Sequence, residues 1–159
     1  MDIFEMNYVP MWEAVLRIVL ATAAALLIGL ERQYKHKPLD LRPYALVALG
    51  SCLAVITIME LSFHVGEADL NIDPAKVIGG ILGGIGFIGA GALFRSDGEV
   101  HGGATAASVW VMGTIGVAFG LGAYALATLA TALAFGTLML GSFISYRAGE
   151  GVEDSPDTE

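Results

Sequence analysis

The chain has 159 residues and a formal net charge of −8. With Gly counted as apolar and Tyr left out, about 65% of it is apolar, against about 45–50% in soluble domains. A soluble domain this small leaves too much surface wet to hide that material, and a disordered chain needs low hydrophobicity, so both classes are excluded and a membrane protein remains.

The N-terminus, Met1-Asp2-Ile3-Phe4-Glu5, lacks the positive region of a secretory signal, so the first apolar run reads as a retained span. A membrane helix needs about 20 apolar residues, and five runs qualify. The first covers Met11 to Leu30, with Glu13 and Arg17 in its leading portion. The second covers Pro43 to Leu61. Asp73-Pro74 is a helix start, a capping side chain followed by Pro in the first turn, and the third covers Ala75 to Phe94. The fourth covers Ala104 to Leu121 and the fifth Ala123 to Tyr146. Residues 104–146 are twice the length of a span, so Gly120-Leu121-Gly122 reads as the turn of a helical hairpin. The fold class is therefore all-α: a polytopic helical bundle of five transmembrane helices. The membrane domain takes residues 1–146 and an acidic, disordered tail takes 147–159.

The positively charged side of a span faces the cytoplasm. Arg32, Lys35, Lys37, Arg42, Arg95 and Arg147 fall on one side and Lys76 alone on the other. That places the N-terminus outside and the C-terminus and tail inside. There is no broad basic surface for nucleic acid. Cys52 lies in an apolar run and reads as a small buried hydrophobe.

Two features could carry function. The third span is dense in glycine, with Gly79, Gly83, Gly86, Gly89 and Gly91. Gly79, Gly83, Gly86 and Ala90 share a helix face. Small stripes let membrane helices approach closely, so this one reads as internal packing or as a homodimer seam. The second feature is charge. Glu13 and Arg17 are one turn apart and pair. Glu31 follows Glu13 by five helical turns, so the two carboxylates share a face at opposite membrane surfaces. Arg42 and Glu60 repeat that spacing on the second span. At the cytoplasmic face Glu31, Arg32, Arg42, Arg95, Thr105 and Ser108 are expected to converge as an ion-pair cluster, a ligand site or a docking surface for a partner. Glu31 and Arg42 are expected to hold the first two helices in register, with Arg32 and Arg95 facing the ligand or partner. His36, His64 and His101 show no ligand spacing; the metal, if any, is left unassigned and no cofactor is expected. No nucleophile stands beside a base, so the chain reads as non-enzymatic.

Gly29-Leu30-Glu31-Arg32-Gln33, then Leu41-Arg42 and Ala45-Leu46-Val47-Ala48-Leu49-Gly50, form one ordered motif. Gly84-Ile85-Gly86-Phe87-Ile88-Gly89-Ala90-Gly91 and Ala104-Thr105-Ala106-Ala107-Ser108-Val109-Trp110 form two more. Together they resemble the MgtC/SapB family of bacterial membrane proteins over about residues 12–146, in a short form without the soluble C-terminal domain. The resemblance implies an inner-membrane protein of five spans, active in adaptation to magnesium limitation as a regulator or partner of other membrane proteins. Candidate partners are a second copy of the chain, the F-type ATP synthase or a Mg²⁺ transporter. The alternative is a homo-oligomeric transporter or channel for Mg²⁺ or another ion, with Thr105 and Ser108 along its path.

Overall fold

The computed structural model describes residues 8–34, 40–69, 73–96 and 99–150. Lys35, Lys37, Asp97 and most of the acidic tail, 151–159, lie outside the described residues. Five helices follow in order: α1 (Met11–Tyr34), α2 (Leu41–Asp69), α3 (Pro74–Gly91), α4 (Gly103–Gly120) and α5 (Tyr124–Glu150). A hairpin of two short strands, β1 (Phe94–Ser96) and β2 (Glu99–His101), joins α3 to α4. Each helix holds a stretch long and apolar enough to cross a membrane. The architecture is an all-α, multi-pass bundle, as composition required.

Local sequence sets the helix ends. The Asp73 carboxylate accepts from the Ala75 N–H at 2.9 Å and Pro74 occupies the first turn, so α3 starts where a capping side chain satisfies an orphan donor. Gly120-Leu121-Gly122 turns α4 into α5, and Gly122 sits at φ 77°. Three helices ran longer than the apolar pattern suggested. α1 continues to Tyr34, beyond Leu30, α2 to Asp69, beyond Leu61, and α5 to Glu150, beyond Tyr146. Hydropathy marks where lipid ends, whereas backbone hydrogen bonding carries a helix on into water.

Inside lipid the solvent is as apolar as leucine, so close packing and hydrogen bonds, not water exclusion, hold helices together. α4 is the centre of that packing and touches all four other helices. Val109, Met112 and Ile115 on α4 are fully buried. They meet small residues of α1 (Ala21, Ala24, Ala25) and of α2 (Ala48, Cys52) in one apolar cluster. α2 lies close against α4 because α4 is glycine there. A Cβ on Gly116 would strike the carbonyl oxygen of Ala48, and one on Gly120 would stand 2.8 Å from the Cys52 carbonyl oxygen. At Gly113 it would meet the Ile85 side chain of α3.

Candidate functional site

α1 carries an acid and an arginine near each end, and both pairs turn inward. At the first end, Arg17 Nη2 donates to the Glu13 carboxylate at 2.6 Å and Nη1 donates to the carbonyl of Gly120 at 2.6 Å. That carbonyl belongs to the last turn of α4, where a helix has unpaired acceptors and partial negative charge. The Tyr124 hydroxyl, at the start of α5, donates to the same Glu13 carboxylate at 3.2 Å. At the second end, Arg32 Nη2 donates to the Thr105 hydroxyl in the first turn of α4 at 3.2 Å. The Ser142 hydroxyl of α5 donates to Glu31 at 3.2 Å.

The spacings match in both partnerships. Arg17 and Arg32 are fifteen residues apart, and so are their α4 partners, Gly120 and Thr105, taken in reverse order. Glu13 and Glu31 are eighteen apart, and so are their α5 partners, Tyr124 and Ser142, taken in the same order. At about 1.5 Å per residue these are spans of about 22 and 27 Å, close to the thickness of a bilayer's hydrocarbon. α1 is thus bolted antiparallel to α4 by its arginines and parallel to α5 by its glutamates, at both ends of the membrane-crossing segment.

The two ends differ in how fully they are satisfied. Arg17 has three hydrogen bonds to two partners. Arg32 is 3% exposed and Glu31 8%, yet their closest approach is 3.9 Å. Arg32 Nε and Glu31 Oε2 are buried and find no hydrogen-bond partner among the described residues. A buried polar atom without a partner costs more than an ordinary hydrogen bond contributes, so this end of α1 is held less tightly than the other.

Of the residues singled out from the sequence, Glu31, Arg32, Thr105 and Ser108 are brought together. Ser108 donates to the Thr105 carbonyl at 2.8 Å and its hydroxyl stands 3.3 Å from that of Tyr44. Arg42 and Arg95 do not join them. The Arg42 side chain is 82% exposed and pairs with Asp40 at 3.2 Å, and Arg95 stands exposed on β1. The expected register bond between Glu31 and Arg42 is therefore replaced: Glu31 turns to α5, because Arg42 sits at the first turn of α2 on its outward side. Glu60, the other member of that spacing, accepts from the backbone N–H of Tyr8 and Val9, each at 3.1 Å, and so ties down the segment before α1. Among the described residues no group of three His, Cys, Asp or Glu side chains could hold a metal ion.

The glycine stripe also divides. A Cβ on Gly89 would lie 3.3 Å from the Ala106 carbonyl oxygen of α4, but one on Gly79, Gly83, Gly86 or Gly91 would meet nothing within 4 Å. Internal packing thus accounts for Gly89 alone. Sequence reasoning passed over Tyr44, which is fully buried, and Ser142. The signal for Ser142 was present: it follows Tyr124 at the interval that separates Glu13 from Glu31.

Comparison with known proteins places this arrangement in a family. Protein SapB of Bacillus subtilis (strain 168) is 34% identical over 114 residues, 70% of this chain and 49% of that protein. A protein named putative magnesium transporter YhiD, of Escherichia coli (strain K12), is 36% identical over 115 residues, 72% of this chain and 54% of that protein. Protein MgtC of Salmonella typhimurium (strain LT2) is 36% identical over 121 residues, 76% of this chain and 49% of that protein. The chain spans about half the length of the curated relatives it matches. No solved structure matches it. The family model described as MgtC family matches residues 18–147, which include Glu31 and Arg32 of α1, all of α4 and most of α5. The chain belongs to the MgtC family.

Proposed function

We propose that this chain is a non-enzymatic protein of the bacterial inner membrane, with its N-terminus outside and its C-terminus in the cytoplasm. It acts in adaptation to magnesium limitation, as a regulator or partner of other membrane proteins. The names of two relatives, a putative magnesium transporter and MgtC, supply the link to magnesium. The observation that favours a regulator over a transporter is the middle of the bundle. Between the two charged ends of α1 the buried side chains of α1 are Ala21, Ala24, Ala25 and Ile28, those of α4 include Val109, Met112 and Ile115, and α2 adds the buried hydroxyl of Ser51. Thr22 and Thr131, the hydroxyls nearest that level on α1 and α5, donate to their own helix at Ile18 and Ala127. A hydrated divalent cation needs several oxygen ligands along its way, and a single copy offers a largely apolar plug.

The rival reading, a homo-oligomeric channel, draws on one observation: the open glycine face of α3, which a second copy could cover. One experiment separates the two. The full chain in liposomes loaded with a Mg²⁺-sensitive dye is expected to pass no more ion than empty liposomes, and flux above that level overturns the regulator reading. In parallel, the chain is expected to restore growth at low Mg²⁺ to a strain lacking its own family member. Failure to do so, with the protein present in the membrane, overturns the link to magnesium.

A further inference from the structure

The second end of α1 opens onto a groove that the helix bolts leave unfilled. It lies between α1, the start of α2 and α5, with a volume of about 660 Å³. That is within the roughly 300–1,000 Å³ of ligand pockets. Its wall is mostly apolar, formed by Leu27, Leu30, Leu41, Phe135 and Met139, with Glu31, Gln33 and Tyr34 as its polar members. Leu27, Leu30 and Met139 are each about half exposed, so the groove opens sideways, toward what would be lipid.

We propose that this groove binds a phospholipid whose headgroup carries a primary ammonium. Its acyl chain would lie along Leu27, Leu30, Phe135 and Met139, and its ammonium would donate to Glu31. The proposal is independent of any role in magnesium homeostasis.

Complementarity of hydrogen bonding selects this occupant. Glu31, in the wall of the groove, keeps Oε2 as a buried acceptor without a donor. A headgroup that ends in a primary ammonium brings that donor together with a charge opposite to the carboxylate's. A bare divalent cation fits poorly, because one carboxylate is a meagre ligand set and a guanidinium stands 3.9 Å from it. An anionic headgroup such as glycerol phosphate offers no cation to the carboxylate. A choline headgroup carries the charge but no N–H to donate. The tail is as strongly selected as the head: half-exposed leucines and a methionine flanking a hydrophobic trough suit an acyl chain. Methionine in particular adapts its shape to an irregular occupant.

The test is lipid retention by the full chain, purified in mild detergent and read by native mass spectrometry. Phosphatidylethanolamine, phosphatidylglycerol and phosphatidylcholine of one acyl composition are supplied at equal concentration. Phosphatidylethanolamine is expected to be retained about tenfold over either competitor, the effect of one charge-assisted hydrogen bond. E31Q keeps the size of the side chain and removes its charge, so it should erase that preference. M139W fills the groove from a half-exposed position without touching Glu31, and should lower phosphatidylethanolamine to the level of the competitors. Equal retention of the three lipids by the unmodified chain, which would mean annular lipid only, overturns the proposal. So does a preference for phosphatidylglycerol, or a preference that survives either variant. Should E31Q fail to fold, the headgroup comparison and M139W still decide.

Discussion

α3 and α4 are both 18 residues long, and both are rich in glycine. They are nonetheless opposites. Over half of α4 is buried inside the chain, 56%, against 11% of α3. On α4 the absent side chains at Gly113, Gly116 and Gly120 are replaced by neighbouring atoms; on α3 the space beside Gly79, Gly80, Gly83, Gly84 and Gly86 is open. Glycine in a membrane helix is thus a permission rather than a contact. It lets a neighbour approach, and only the arrival of that neighbour turns it into packing energy. α4 has such neighbours because it is anchored at each end by a buried arginine of α1, whereas α3 leans on α4 through Ile85 and Gly89.

The largest effect should come from filling the α4 side of this comparison. Gly116→Leu drives a side chain into the backbone of Ala48, which cannot rotate away. Overpacking against atoms that cannot yield is expected to cost about 3 kcal/mol or more. Thermal unfolding in detergent should show a Tm lowered by many degrees, or no folded protein recovered. A Tm within a degree of the unmodified chain would mean that α2 does not lie against α4 at that point.

Next in size is the anchorage itself. Arg17→Ala removes the donor to Gly120 and two of the three hydrogen bonds made to Glu13. A carbonyl in the last turn of α4 is left without its charged donor, at an expected cost of about 2–3 kcal/mol. Limited proteolysis at the α4–α5 turn is the more specific readout, and cleavage there should accelerate with the loss of Tm. Unchanged cleavage would show that the turn holds without Arg17.

How much of this could be read from the sequence follows the same division. The five spans, the turn at Gly120-Leu121-Gly122 and the pairing of Glu13 with Arg17 were legible, because length, turn chemistry and i, i+4 spacing are local. The shared face of Glu13 and Glu31 was legible too, since helical geometry fixes it. What lay on the far side of that face was not. Arg42 looked like the partner of Glu31 because it comes next in the chain on the same side of the membrane. The actual partner, Ser142, is 111 residues away. The glycines misled for the same reason. α3 has the denser run, but density says nothing of which helix stands opposite. The β1–β2 hairpin was missed because three-residue strands leave almost no periodic signal.

A smaller effect is expected at the turn. Gly122 combines a positive φ with a close neighbour: a Cβ there would lie 2.8 Å from Arg17 Nη2. Gly122→Ala must hold a left-handed backbone, which costs about 1–2 kcal/mol for a residue with a side chain, and must also press on a guanidinium already held by Glu13 and Gly120. The loss should be smaller than in Arg17→Ala. It should shrink further when combined with it, because the crowded group is then gone. Strict additivity of the two substitutions in Tm-derived stability would show that the contact carries no energy and that the turn's cost is wholly backbone.

The smallest effect is the most informative about α3. Gly83→Leu adds a large side chain where nothing lies within 4 Å, and it replaces the residue least suited to a helix, apart from Pro, by one of the best, a gain of up to about 1 kcal/mol. Within a single copy the substitution should leave Tm unchanged or raise it slightly, the reverse of Gly116→Leu. The mass of the particle in detergent, measured by light scattering, then reads the rest of the face. If the open stripe is a seam between copies, Gly83→Leu splits the oligomer while each copy keeps its fold. If the mass is that of one chain both before and after, the stripe faces lipid and the channel reading loses the observation that favours it. A fall in Tm with the mass unchanged would break the comparison itself, since it would mean that α3 packs inside its own chain as closely as α4 does.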